Sequence, residues 1–165
     1  MTRSSESTAR SAAARPRFTL DSNLLVYSVD LDAGARHQAA LRIVDEAPDA
    51  DCWLTLQSLS EFYAAVTRKR IMPPAAAAAQ VEDWLAFFRS VAVTASAIRT
   101  ALANAVAGRA SYWDALLVAT AAESGCTLIL TEDMADGSTL GGVEIHNPFA
   151  ATGDLTARTC RLLEL

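Results

Sequence analysis

Four acidic side chains stand where an α/β protein usually places its chemistry; they are Asp21, Glu61, Asp114 and Asp133. Asp21 directly follows the apolar, β-like segment 18–20, and Asp133 comes three residues after the end of segment 127–130; the other two lie close to the starts of predicted helices. In open parallel sheets the functional site lies at the carboxyl ends of the strands. The sequence therefore predicts that all four acids lie at one catalytic edge.

Each acid also has a purely structural interpretation. The motifs Ser58-x-x-Glu61 and Ser111-x-x-Asp114 match the capping-box pattern, and an acid after a strand often begins a helix. One such acid alone is more often a cap than a catalyst. Four acids brought together would repel one another unless a cation neutralised them, and a hard divalent ion such as Mg²⁺ or Mn²⁺ is expected there. These patterns leave open whether the four converge.

Short strands that alternate with helices must position these acids. Apolar runs predict strands at 18–20, 53–56, 91–93, 127–130 and 143–145. Apolar residues at helical spacing predict helices at 24–27, 37–44, 59–66, 81–88, 95–107 and 112–124. This order predicts an α/β domain over residues 18–150, with a parallel sheet covered on both faces, and a C-terminal tail over residues 151–165.

Composition limits the function classes. The chain has 165 residues, of which 52% are hydrophobic and 20% charged, so it can form one core and is not a highly charged disordered polymer. Its net charge of −5 argues against a broad basic face for nucleic acid. Residues 1–17 carry a net +3 and resemble an organelle transit peptide faintly; we predict a disordered leader.

The cysteines and the apolar runs predict the compartment. Cys52, Cys126 and Cys160 are an odd number without the spacing of metal ligands, and two of them adjoin apolar runs. This pattern favours buried free thiols in a reducing compartment, and hence a cytoplasmic protein. Apolar runs stay well below the ~18 residues that a membrane-spanning helix needs, so we expect no membrane partner.

Four segments, in order, resemble the motifs of PIN-domain ribonucleases. They are Phe18-Thr-Leu-Asp21-Ser-Asn23, Ser58-Leu-Ser-Glu61-Phe62, Ser111-Tyr-Trp-Asp114 and Leu130-Thr131-Glu132-Asp133. The resemblance extends to Phe149 and is strongest to the VapC toxins of bacterial toxin–antitoxin pairs. It implies a PIN-like three-layer sandwich, with a short parallel sheet of four to five strands and helices on both faces.

The resemblance also implies a site and an activity. The acidic pocket would consist of Asp21, Glu61, Asp114 and Asp133. Of these, Asp21 and Asp114 would ligate Mg²⁺, with Mn²⁺ as the alternative; Asp133 would complete the ligand set or bind through water, and Glu61 would act through an ordered water. Asn23 and Thr131 would orient ligands or substrate. The implied activity is a metal-dependent endoribonuclease that hydrolyses RNA as a toxin, forms a homodimer and is inhibited by a cognate antitoxin.

Two other functions are weaker. A phosphatase of haloacid-dehalogenase type would need an aspartate two residues after its nucleophile, where this chain has Asn23. A non-catalytic PIN scaffold that binds RNA or protein would typically lack some of the acids, and this chain keeps all four.

Three further features each allow two interpretations. The run Arg68-Lys69-Arg70 suits a helix C-terminus, which is the favoured reading, or a phosphate grip. Trp84, Phe87 and Phe88 suit either the core or an interface, and Trp113 suits helix packing or stacking on a base.

Overall fold

A computed structural model gives the fold of the protein, and residues 15–165 are described here. Most of the predicted leader, residues 1–14, lies outside the described residues. The helices are α1 (Ser22–Val29), α2 (Ala35–Glu46), α3 (Leu56–Arg68), α4 (Pro74–Phe87), α5 (Ala95–Val106), α6 (Tyr112–Glu123) and α7 (Ala157–Leu163). The strands are β1 (Phe18–Leu20), β2 (Trp53–Thr55), β3 (Arg89–Val91), β4 (Leu128–Leu130), β5 (Thr139–Leu140) and β6 (Val143–His146).

Parallel strands form the centre of the molecule. The main sheet has the order β1-β4-β6-β5, in which β1, β4 and β6 are parallel and β5 is antiparallel to β6. The parallel pair β2-β3 joins it through one bridge between Phe18 and Cys52. The register places Leu20 opposite Leu130, so the chain leaves β1 and β4 at the same edge. The predicted α/β fold with a short parallel sheet is confirmed.

Side chains on both faces of β4 are buried. Leu128 and Leu130 pack in a core cluster with β1, α1, α2 and α3. Ile129 points to the opposite face because side chains alternate along a strand, and there it packs with residues of α6 and β6 such as Leu117 and Ile145. Helices therefore cover the sheet from both sides, as the uninterrupted apolar run of β4 indicates.

Three local predictions need correction. The strand predicted at 91–93 lies at Arg89–Val91, where β3 pairs with β2, and the short strand β5 was missed. Ser58 does not begin a helix: α3 starts at Leu56, and Thr55 is its N-cap because its hydroxyl accepts a hydrogen bond from the Ser58 N–H. The capping-box interpretation of Ser58 and Glu61 is therefore wrong.

The aromatic cluster of α4 divides between core and surface. Trp84 and Phe88 are 5% and 6% exposed, and the Trp84 ring packs edge-to-face on Phe62 with centroids 4.7 Å apart. An interface role is therefore wrong for these two residues. Phe87 is 76% exposed.

The predicted burial of Cys52 and Cys126 is confirmed, and both are free thiols. Within residues 15–165, every helix is too short or too polar to cross a membrane.

The segment predicted as a C-terminal tail contains α7, which begins after the N-cap Thr156 and buries Leu163 in the main core. His146, at the end of β6, connects to it. Its Nε2 lies 3.0 Å from Thr159 Oγ1, and its Nδ1 lies 3.3 Å from Asp136 Oδ1. Burial and the nearby Arg158 guanidinium lower the pKa of His146, although Asp136 and Glu144 partly oppose them.

This lowered pKa predicts acid sensitivity. The folded protein favours the neutral imidazole, so the unfolded chain takes up a proton first as the pH falls below the ordinary value of 6.5. The stability that His146 contributes is present above that pH and is lost as the pH falls through the lowered pKa. We expect His146→Gln to flatten the fall of the urea midpoint between pH 7 and 5. His37→Gln, which retains His146, should keep the wild-type slope; an equal slope in both variants would contradict the prediction.

Candidate active site

Asp21 directly follows β1 and is held by the neighbouring strand. Its N–H donates to the Leu130 carbonyl at 3.0 Å, and Thr131 Oγ1 donates to Asp21 Oδ2 at 2.7 Å. Asp21 occupies the N-cap position of α1, but within the described residues its carboxylate makes no capping hydrogen bond. Burial to 8% exposure raises the pKa of Asp21, and the charges of Asp133 and Glu61 raise it further against the lowering effect of Thr131. Helix capping therefore does not explain the presence of a carboxylate at position 21.

Glu61 reaches the same edge because α3 is fixed to the end of β1. Ser58 Oγ donates to the Leu20 carbonyl at 2.9 Å, and Glu61 lies one helical turn further on. Ser22 Oγ is 3.1 Å from Glu61 Oε2 and 3.3 Å from Asp21 Oδ1, so one hydroxyl lies between the two carboxylates. Gln57 Nε2 donates to Glu61 Oε1 at 2.8 Å and fixes the other oxygen.

Asp133 lies in the loop after β4, where it does not begin a helix. Its N–H donates to Thr131 Oγ1 at 3.1 Å, and Asn23 Nδ2 donates to its carboxylate. Partial burial raises the pKa of Asp133, and the charges of Glu132 and Asp114 add to the effect while Asn23 opposes it. Thr131 thus touches both Asp21 and Asp133, and Asn23 holds the second of them.

Asp114 enters the site from the first turn of α6. Ser111 is the N-cap of this helix, as predicted: its Oγ accepts from the Asp114 N–H at 3.2 Å and donates to Asp114 Oδ2 at 2.7 Å. Gln57 Nε2 also donates to the Trp113 carbonyl at 3.0 Å, which ties the start of α6 to α3.

The structure brings all six predicted site residues to one edge of the sheet; they are Asp21, Asn23, Glu61, Asp114, Thr131 and Asp133. The charges of Asp133 and Glu61 help to raise the pKa of Asp21, and the charge of Asp114 helps to raise the pKa of Asp133. Carboxylate oxygens are the ligands that hard divalent cations prefer, and such a cation would also relieve the repulsion between the acids. As placed, no three His, Cys, Asp or Glu side chains among residues 15–165 form a cluster that could hold a metal ion. The carboxylate oxygens that could bind a cation are present, and serine, asparagine and threonine side chains form hydrogen bonds to them.

Two nearby acids are bound to groups outside the six predicted site residues. Glu132 accepts from the Tyr27 hydroxyl and pairs with Arg36, whose Nε is 2.9 Å from Glu132 Oε2. Burial and this contact with Glu132 raise the pKa of Tyr27 to about 12. Asp136 accepts from the Asn147 N–H at 2.8 Å, which lowers the pKa of Asp136. Both carboxylates therefore brace loops.

Sequence reasoning missed two residues that organise the site, Ser22 and Gln57. Ser22 lies between the two predicted site residues Asp21 and Asn23, so its hydroxyl was a candidate partner for either of them. Gln57 precedes Glu61 by four residues, a spacing that places the two side chains on one helix face. Its second bond, to Trp113, joins residues far apart in sequence, and helical spacing alone could not reveal it.

Residues 18–135 match the PIN domain family, a range that contains all four acids. The chain belongs to this family. Among curated proteins, no sequence matches the chain. The PIN domain resembles in fold the Mycobacterium tuberculosis VapC20, a toxin that cleaves the sarcin–ricin loop, with 23% identity and a TM-score of 0.58 over 70% of this chain and 91% of that one.

Two VapBC structures, each with DNA bound, show the same likeness of fold to this PIN domain. The complex from Salmonella typhimurium gives 15% identity and a TM-score of 0.58, and VapBC2 from Rickettsia felis gives 14% and 0.54. Both matches cover 79% of this chain and 97% of the other.

Proposed function

We propose that this PIN domain is a metal-dependent endoribonuclease that acts as the toxin of a toxin–antitoxin pair. The observation that carries the proposal is Asp21, whose buried carboxylate makes no capping hydrogen bond within the described residues and has a pKa raised by burial and by two neighbouring acids. A protein maintains such an unfavourable charge where a cation or a reaction uses it. Family membership and the fold shared with VapC toxins support an RNA substrate.

Each polar side chain then has a role in hydrolysis of a phosphodiester bond. Asp21, Asp114 and Asp133 would hold Mg²⁺ or Mn²⁺, which when bound lowers the pKa of water and neutralises charge on phosphoryl oxygens. Thr131 orients the Asp21 carboxylate, and Asn23 orients that of Asp133. Glu61, fixed by Ser22 and Gln57, would accept a hydrogen bond from the attacking water and set its direction.

The acidic edge also suggests how the toxin is restrained. A basic side chain from a cognate antitoxin would pair with these carboxylates and compete with the metal for them. Phe87, exposed at the end of α4, is the remaining aromatic candidate for a homodimer contact. We place this activity in the cytoplasm, where an antitoxin and cellular RNA would both be available. A neighbouring gene for a small DNA-binding protein would support the pairing.

Cleavage by the purified protein tests the reaction. We expect RNA fragments in the presence of Mn²⁺ or Mg²⁺, no fragments in excess EDTA, and recovery when Mn²⁺ is restored, because carboxylates can hold a cation but cannot themselves neutralise charge on phosphoryl oxygens. Sequencing the 5′ ends of the fragments identifies the cut sites. Cleavage that persists in EDTA would refute metal dependence.

A further inference from the structure

A cleft of about 340 Å³ opens beside the acidic edge. It is lined by Ser22, Asn23, Glu61, Ala64, Ala65, Arg68, Lys69 and Trp113. Three of these residues belong to the acidic edge: Ser22 contacts Asp21 and Glu61, while Asn23 contacts Asp133. The cleft is therefore continuous with the proposed catalytic site. Its other end carries basic side chains in place of acidic ones.

Along α3 the cleft changes from negative to positive charge. Glu61, Ala65 and Arg68 follow the spacing i, i+4, i+7, which places them on one face of the helix. At 1.5 Å per residue, Arg68 lies about 10 Å beyond Glu61 along the helix axis. The small side chains of Ala64 and Ala65 keep the floor between them open, and Lys69 adds a second cation at the same end.

Trp113 lines the cleft from the first turn of α6. Its side chain is 59% exposed, the most exposed of the three tryptophans, and it is adjacent in sequence to Asp114. The Tyr112 ring supports it edge-to-face with centroids 5.2 Å apart, and the Gln57 side chain holds its carbonyl. An aromatic face supported in this way, beside a positively charged groove, is the arrangement with which proteins bind single-stranded nucleic acid.

The helix dipole alone does not explain where the cations at the end of α3 lie. It accounts for cations at the end of α3, but it does not require that two of them share a cleft with an exposed tryptophan 44 residues away in sequence. Arg70, the third cation of the run, lies outside the residues that line this cleft. The basic run is thus divided by the fold into two residues that face the cleft and one that does not.

We propose that this cleft binds the single-stranded RNA next to the scissile phosphate, an inference that rests on the proposed function. Arg68 and Lys69 bind a backbone phosphate one or more nucleotides away from the cut, and Trp113 stacks on a base. Stacking and phosphate contacts tolerate any base, so the cleft contributes affinity and strand position more than sequence choice. A chain with a net negative charge can in this way bind RNA locally without a broad basic face.

Binding and cleavage measured together test this assignment. In the Asp21→Asn background, which keeps every residue of the cleft, a short labelled unpaired oligoribonucleotide reports affinity by anisotropy. Removing both charges with Arg68→Gln and Lys69→Gln should weaken binding and reduce the slope of log K against log salt by about 0.7, the value for one phosphate of a single strand. Trp113→Ala should weaken binding about 10-fold or more, and Trp113→Phe should restore most of it.

Arg70→Gln and Arg99→Gln are the matched controls, because they remove exposed cations that lie outside the cleft. In otherwise wild-type protein, the cleft variants should raise KM for cleavage while kcat stays within about twofold, and thermal melts verify that each variant folds. If wild-type protein cleaves RNA but the cleft variants behave like the controls, the cleft assignment is wrong and the nuclease proposal stands. If wild-type protein cleaves no RNA, the nuclease proposal fails, and the binding arm still decides whether the cleft holds RNA.

Discussion

The substitution Asp21→Asn is expected to remove RNA cleavage and, at the same time, to stabilise the metal-free protein. Asp21 is 8% exposed, and burial together with the charges of Asp133 and Glu61 raises its pKa. A carboxylate with a raised pKa destabilises the fold when it is ionised, so a neutral isostere at this position relieves the folded state at neutral pH.

The amide preserves the local hydrogen bonds. Its oxygen can still accept from Thr131 Oγ1, and its NH₂ group can donate to Ser22 Oγ, which now lies between Asp21 and Glu61. The loss of activity would therefore reflect the lost charge and not a collapsed site. A metal ligand contributes several kcal/mol to such a reaction, which corresponds to a loss of at least about 100-fold in cleavage.

Cleavage rates and thermal melts in EDTA measure both effects. A stability gain on the order of 1 kcal/mol would raise Tm by roughly 2–4 °C in a chain of this size. Induced expression of wild-type protein should stop growth, whereas the Asp21→Asn protein should not. Asp136→Asn is the matched control, because Asp136 is bound to His146 and Asn147 and should leave cleavage unchanged. Wild-type cleavage by Asp21→Asn would exclude Asp21 from the reaction.

The strand ends that hold the site could be predicted because they depend on local patterns. The short apolar runs before Asp21 and after Gly125 predict buried strands, and parallel strands bring their carboxyl ends to one edge. The register between Leu20 and Leu130 then places Thr131 beside Asp21. The resemblance to a family identified the four motifs by their order along the chain, and the structure shows that their residues lie close together.

The remaining features depend on contacts between segments that are distant in sequence. Thr55 and Ser58 both suit a helix cap, and the choice follows from Ser58 Oγ binding the Leu20 carbonyl, a contact across 38 residues. Phe87 and Phe88 are adjacent and equally apolar, but α4 ends at Phe87 and only Phe88 turns into the core. The sequence likewise does not reveal that Arg68, Lys69 and Trp113 line the same cleft, because this depends on how α3 and α6 pack together.

The second large effect concerns the metal itself. If the acidic edge binds Mn²⁺ in the folded protein only, the ion stabilises the fold by mass action, by about 2.7 kcal/mol at a concentration 100 times Kd. At roughly 2–4 °C per kcal/mol, Tm should rise by about 5–11 °C. The rise should be large here because the ion also cancels the repulsion that raises the pKa of Asp21 and of Asp133.

Thermal melts across a Mn²⁺ titration, with Mg²⁺ in parallel, measure this rise in wild-type protein and in two aspartate variants. Asp114→Asn removes a proposed ligand from the first turn of α6 and should abolish most of the increase, whatever it does to the metal-free Tm through its contact with Ser111. Asp83→Asn removes an equal charge from an exposed position on α4 and should keep the full increase. A non-catalytic scaffold would show no rise that depends on Asp114. An equal rise in the two variants would mean that Mn²⁺ binds elsewhere, and the four acids at the sheet edge would then need another cation, such as a basic side chain of a partner, to neutralise them.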